Sequence, residues 1–231
     1  YPLSTMPDIP LAPRNIRNTL QAKNFFDCNC HFTTTEWQRE QYPEGMRGFI
    51  SVLRKCVDTE FFAPAPASRF SFGDCELTER QEIVTLSVRD AARLREGGFW
   101  CELPSLLSAR PDCHVVLIST GKEVRLDSLR ESMAAFPSGM RGRIHLLDFL
   151  PPGAYRDLLC VSSLHLCKDI SFMLPSALLE AMSCGCVVLA PDTGAVREVL
   201  SDGQNGFLYP SGRRMNWVML ITLLLERRSE L

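Results

Sequence analysis

What this sequence lacks sets the first limits on it. There is no long apolar run: the longest, Trp217 to Leu225, is interrupted by Thr222. It is about half the length a helix needs to cross a bilayer and is expected to dock on a core. There is no excess charge of either sign, since Lys+Arg 25 against Asp+Glu 27 leaves a formal charge of -2. Nothing global steers the chain toward nucleic acid or an anionic membrane, so any phosphate recognition must be local. There is no C-x-x-C: among ten cysteines the close pairs are Cys28/Cys30 and Cys184/Cys186. That spacing suits neither a zinc site nor a secreted disulfide framework. Reduced, mostly buried thiols are expected, and with them a cytoplasmic location.

Further absences narrow the chemistry. No group of Asp, His or Cys has metal-ligand spacing, so no metal and no cofactor is expected. His31, His114, His145 and His165 stand in or beside strand-like segments and read as structural. Ser-His-Asp, Walker and dinucleotide fingerprints are missing. Tyr1 to Leu20 carries prolines but no initiating Met and no apolar core of signal-peptide length, which reads as a chain entered partway.

What is present is ordinary globular composition, 45% hydrophobic and 23% charged, enough for one sizeable core or a domain and a half. From about Gln81 the chain alternates strand-like and helix-like segments, the pattern of an α/β fold with a doubly wound parallel sheet. Ile83–Val88 and His114–Ser119 are continuous β-branched or apolar runs, suited to strands buried on both faces. Further strands are expected at Ile144–Phe149, Leu164–Cys167, Cys186–Ala190 and Phe207–Tyr209. Helices are expected at Phe99–Leu107, Leu126–Ala135, Gly153–Leu159 and Val196–Leu200, with a last one from about Arg213. The best-marked helix is bracketed by Pro175 at its start and Gly185 just past its end. Its core-facing residues are expected to be Leu178, Leu179 and Met182, which turns Glu180 aside.

The first sixty residues differ. They hold two plausible strands, Cys28–Thr33 and Phe49–Leu53, around a short helix near Glu36–Gln41. The Pro/Ala-rich stretch Phe62 to Ser68 reads as a connector, dividing the chain into 1–66 and 67–231.

The segment Pro175 to Tyr209, PSALLEAMSCGCVVLAPDTGAVREVLSDGQNGFLY, resembles the donor-binding signature of retaining glycosyltransferases with the GT-B fold. Val57-Asp58-Thr59-Glu60-Phe61-Phe62-Ala63-Pro64 resembles the stretch before that family's hinge, and Thr35-Glu36-Trp37-Gln38 resembles the end of its N-terminal lobe. The similarity runs from about residue 30 to 225. It implies a nucleotide-diphosphate sugar as donor, an unknown glycosyl acceptor as partner, and hexosyl transfer with retention. Residues 1–66 would be a remnant of the acceptor lobe and 67–231 the nucleotide-sugar domain, Rossmann-like.

The same resemblance assigns residues. Arg89, at the end of a strand, and Arg95, in the loop that follows, would grip the donor diphosphate, with Arg93 competing for the second place. Such chemistry needs fixed cations where negative charge gathers on the leaving diphosphate. Thr193 and Gly194 would present backbone amides to the phosphates, with Ala195 standing where the family has a second glycine. Glu180 would accept hydrogen bonds from the ribose hydroxyls. Eight positions earlier, where the family usually has a second, sugar-contacting glutamate, this chain has Phe172. Glu198 also fits the family pattern, as a ligand contact or as a cap. No residue is assigned to catalysis. Two rivals stay open: a non-catalytic nucleotide-sugar-binding module derived from such an enzyme, and a sugar-nucleotide epimerase.

Overall fold

The N-terminal segment supplies a small unit of its own. In the computed structural model, which describes residues 27–65, 69–73, 75–96, 98–120, 126–168, 173–211 and 215–227 together with Lys23 and Phe25, strand β1 (His31–Thr33) leads into helices α1 (Glu36–Glu40) and α2 (Glu44–Arg47) and then strand β2 (Ile50–Val52). β1 and β2 pair in parallel, which requires a crossover, and the two short helices provide it. Thr35 starts α1 by accepting a hydrogen bond from the Gln38 amide at 3.1 Å. Beyond the connector, β3 (Arg69–Phe72) and β4 (Cys75–Thr78) form an antiparallel hairpin turned at Gly73, whose φ of +53° favours glycine.

The β-branched runs then build the main sheet. Its elements follow in chain order: β5 (Glu82–Val88), α3 (Ala91–Glu96), α4 (Gly98–Ala109), β6 (Cys113–Ser119), α5 (Asp127–Met133), α6 (Ser138–Arg141), β7 (Ile144–Leu147) and α7 (Pro152–Val161). The second half continues with β8 (Leu164–Leu166), α8 (Ser176–Ser183), β9 (Val187–Pro191), α9 (Gly194–Arg197), β10 (Phe207–Tyr209) and α10 (Trp217–Glu226). The strands lie in the order β10-β9-β8-β5-β6-β7 and every neighbouring pair is parallel. That is the doubly wound arrangement, in which each half is laid down outward from the centre.

Alternate residues of the central strands point to opposite helical layers. Val84, Leu86, Leu164 and Leu166 pack against Phe99 and Leu103 of α4 and Trp217 and Ile221 of α10. On the other face, Ile83 and Val116 meet Leu158 of α7, and Val188 meets Leu178 and Ala181 of α8. Leu103, Leu158 and Leu178 are fully buried, each contributing about 1.5–3 kcal/mol relative to exposure. Among the described residues no helix is long and apolar enough to cross a membrane, and Trp217–Glu226 is a docking helix as expected.

Several expectations are corrected. Residues 91–96 are helical because AARLRE combines helix formers with an inward Ala91 and Leu94, so Arg95 lies on α3 and not in a loop. α9 starts at Gly194, earlier than expected, because Thr193 caps it by accepting from the Val196 amide. α10 begins only at Trp217, behind Asn216, whose side chain accepts from the Met219 amide. The β3–β4 hairpin and α6 were not foreseen. The core face of α8 is Leu178 and Ala181, with Leu179 and Met182 only partly buried. The thiols are free, but Cys28, Cys30, Cys56 and Cys101 are exposed, against the expectation of mostly buried cysteines.

The histidines are built into the sheet. His114 Nδ1 and His145 Nε2 lie 2.9 Å apart across β6 and β7, and His165 is fully buried with Nδ1 2.9 Å from the Thr85 hydroxyl. Burial lowers His145 and His165 to about 4 and also lowers His114. All three are neutral in the fold, whereas the unfolded chain takes up protons near the ordinary 6.5. Stability from these groups is therefore complete above about 6.5 and is lost as pH falls toward about 4. Thermal unfolding followed by circular dichroism should show a midpoint that drops across this window. His145→Gln should shallow the slope.

Candidate nucleotide-binding cleft

After β5 the chain turns to one side of the sheet and after β8 to the other, opening a crevice beyond the carboxyl ends of these two adjacent strands. Open α/β sheets bind ligands at such a point. Two connected pockets lie there, sharing Ser87, Thr120, Ser176 and Ala177 in their walls.

The first, about 380 Å³, is an apolar slot formed by Ile118, Phe149, Leu150, Pro152, Tyr155 and Phe62 of the connector. Glu180, in the second turn of α8, stands on its wall and is its one acidic lining residue among the described residues. Burial raises the Glu180 pKa, while a hydrogen bond from Ser176 and the field of Lys55 pull it back down. The Tyr155 hydroxyl is buried beside Ser87 without a well-aligned hydrogen bond, and burial raises its pKa. The second pocket, about 280 Å³, is lined by Lys55, Arg89 and Lys168, with His165 in its wall and, among the described residues, no acidic lining residue. The His165 Nε2 faces no hydrogen-bond partner among the described residues.

α8 enters the cleft because of how it is punctuated. Pro175 sets the extended conformation before its first turn without a capping side chain, and Ser176 and Ala177 of that turn line both pockets. At the other end Gly185 takes φ +78° and donates to the Met182 carbonyl, while Cys186 donates to the Ala181 carbonyl. That left-handed stop turns the chain directly into β9.

Of the residues singled out in the sequence, the structure brings Arg89 and Glu180 to the cleft. Arg95 is exposed on α3 and is not among the residues lining either pocket. Phe172 lies outside the described residues. Thr193 caps its own helix, while Gly194 and Glu198 face α1. Glu198 accepts the first two amides of α1, from Glu36 at 3.0 Å and Trp37 at 2.6 Å. The Trp37 indole lies so close over Gly194 that a methyl group there would fall inside the ring. The glycine is needed for this approach. The cap reading of Glu198 holds, with the capped helix in the N-terminal unit and not its own.

Lys55, Lys168 and Tyr155 were missed. Lys55 sits two residues before the hinge-like stretch that begins at Val57, and Lys168 two residues past a strand end, so position relative to landmarks was the available signal.

The match to known proteins follows the same elements. The model of the glycosyl transferases group 1 matches residues 99–227, more than half of the chain. The chain belongs to that family. Among curated proteins, this group 1 chain is 27% identical over 169 residues to α-maltose-1-phosphate synthase of Mycobacterium tuberculosis, covering 72% of this chain and 43% of the relative. It is 30% identical over 154 residues to phosphatidyl-myo-inositol mannosyltransferase of Mycolicibacterium smegmatis, covering 67% and 37%. It thus spans less than half the length of these relatives. Among solved structures it resembles Anabaena HepE crystallised with UDP-glucose, with a TM-score of 0.71 at 17% identity over 99% of this chain and 61% of that one. Sucrose-phosphate synthase from Thermosynechococcus elongatus gives 0.68 at 16% identity over 96% and 55%. The fold is therefore the GT-B type expected for a group 1 glycosyl transferase.

The grip of Glu198 on α1 outweighs the ion pair beside it. Its 3.8 Å contact with Arg54, a side chain 65% exposed, is worth about 0–1 kcal/mol, whereas charge-assisted hydrogen bonds contribute about 1.5–3 kcal/mol. Glu198→Ala should lower stability by about 1.5–3 kcal/mol in urea unfolding and speed hydrogen exchange across α1. Arg54→Ala should change both far less.

Proposed function

We propose that this chain carries the donor site of a glycosyltransferase that moves a hexose from a nucleotide-diphosphate sugar to an acceptor, with retention at the anomeric carbon. The observation that carries this reading is the joined cleft itself. An apolar slot with one carboxylate suits a base and its ribose, and the adjoining pocket with basic side chains suits the phosphates. When the bond between the anomeric carbon and the donor phosphate oxygen breaks, the electron pair leaves with the diphosphate. Arg89 and the leading amides of α8 would stabilise that charge. Retention rests on the family resemblance. UDP-glucose bound to HepE supports a nucleotide sugar as ligand class. Ten free thiols support a cytoplasmic site of action.

Purified protein incubated with labelled UDP-, GDP- and ADP-hexoses tests the reaction, with released sugar as the readout. A binding module would hold the nucleotide and release no sugar, and an epimerase would alter the donor without an acceptor. Either result would sink the proposal.

Glu180 gives the sharper test. Glu180→Gln keeps the shape but removes the charge that strengthens hydrogen bonds from vicinal hydroxyls. Calorimetry should show weaker binding of the ribonucleotide diphosphate and a smaller preference for it over the 2′-deoxy form, with an unchanged melting temperature. Full affinity and full ribose preference in a folded variant would remove the residue from the site.

Chelation separates this reading from metal-dependent transfer. Among the described residues no group of three or more His, Cys, Asp or Glu is placed to hold an ion. EDTA should leave nucleotide binding unchanged. Loss on chelation, restored by Mg²⁺ or Mn²⁺, would count against it.

A further inference from the structure

The second cation of the diphosphate site comes from an unexpected direction. Arg95 is turned to solvent on α3, while Lys55, carried by the segment that leaves β2, enters the pocket beside Arg89. Lys55 is half-buried, and neither it nor Arg89 has a hydrogen bond or ion pair among the described residues. Two like charges held in one concavity repel each other unless an anion sits between them. Among the described residues the pocket lining offers no carboxylate to play that part. Glu180 stands on the wall of the adjoining slot, and its carboxyl feels the Lys55 charge. The unpartnered, fully buried Nε2 of His165 marks the same pocket as a place where a polar ligand atom is wanted.

We infer that Lys55 binds the donor diphosphate in place of Arg95, spanning from the phosphates toward the ribose side of the cleft. This rests on the nucleotide-sugar reading above and assigns the charge within it. Its consequence is that the donor is gripped by both parts of the chain, since Lys55 belongs to the segment before the connector and Arg89 to the main sheet. The binding of donor would then tie the small β1–β2 unit to the doubly wound sheet, with α1 already fixed by Glu198 from the opposite flank.

Calorimetry with the full chain provides the test. UDP, GDP and ADP are first compared on the wild type, and the tightest is followed with its mono-phosphate and its nucleoside. Lys55→Met should weaken the diphosphate by about tenfold or more, weaken the monophosphate less and leave the nucleoside within about twofold. Lys55→Arg should restore most of the loss, Arg95→Met should behave as wild type, and Arg89→Met should lose diphosphate affinity as Lys55→Met does. Unchanged diphosphate affinity in Lys55→Met while Arg89→Met loses it would overturn the assignment but leave the nucleotide site standing. Equal losses for diphosphate and nucleoside in Lys55→Met would do the same, by pointing to a distorted fold. A loss in Arg95→Met as large as in Lys55→Met would return the second cation to α3. If the wild type binds none of the three diphosphates, the nucleotide reading itself fails, and the Lys55 assignment with it.

Discussion

The whole site depends on the divergence of the chain after β5 and β8. Parallel strands cannot be joined by tight turns, so each must be followed by a crossover, and a right-handed crossover commits the chain to one face. Where neighbouring strands commit to opposite faces, no connection can cover their carboxyl ends. The cleft is what that topology leaves open. The positions of Arg89, just past β5, and Lys168, just past β8, are fixed by strand register before any side-chain chemistry is considered. Glu180 is then set by the helix that fills the gap after β8, whose Pro175 start and left-handed Gly185 stop fix the length of α8.

A second constraint couples the N-terminal unit to this frame. Contacts between α1 and α9 hold the two together through one carboxylate on two main-chain amides and one indole on one glycine. The connector adds Phe62, which packs on the α8 layer and takes a hydrogen bond at its carbonyl from the Ser183 hydroxyl. The apolar slot is thus closed by a residue from outside the main sheet, and its polar neighbour receives Lys55 from the same side. A ligand in the joined cleft would touch side chains from both parts.

The architecture was legible because it is written in periodicity. Runs such as IVTLSV and HVVLIS have to be strands buried on both faces, and Pro175 and Gly185 delimit a helix by backbone geometry alone. Glu180 and Arg89 could be placed because each lies at a fixed offset from such a landmark. What was not legible depends on distance through space. The room that Gly194 makes for Trp37 cannot be seen without knowing that residue 37 returns to residue 194. Arg95 departs from expectation for a local reason: the place of AARLRE after a strand end suggests a loop, whereas its residues favour helix. Lys55 carries no motif, and only the fold reveals that the segment leaving β2 dips into the cleft.

The hold of Glu198 on α1 is exerted on backbone N–H groups, which every residue but proline carries. The side chain of Glu36 can therefore vary without loosening it, so long as Thr35 or an equivalent still opens the turn. The indole over Gly194 has no such tolerance, because enlarging the glycine displaces the ring. One half of this joint is indifferent to sequence and the other is locked to a pair. Substitutions at 37 and 194 would have to occur together, and Gln38, buried with Oε1 accepting from Thr34, is held as well, while Arg39 and Glu40 remain open to drift.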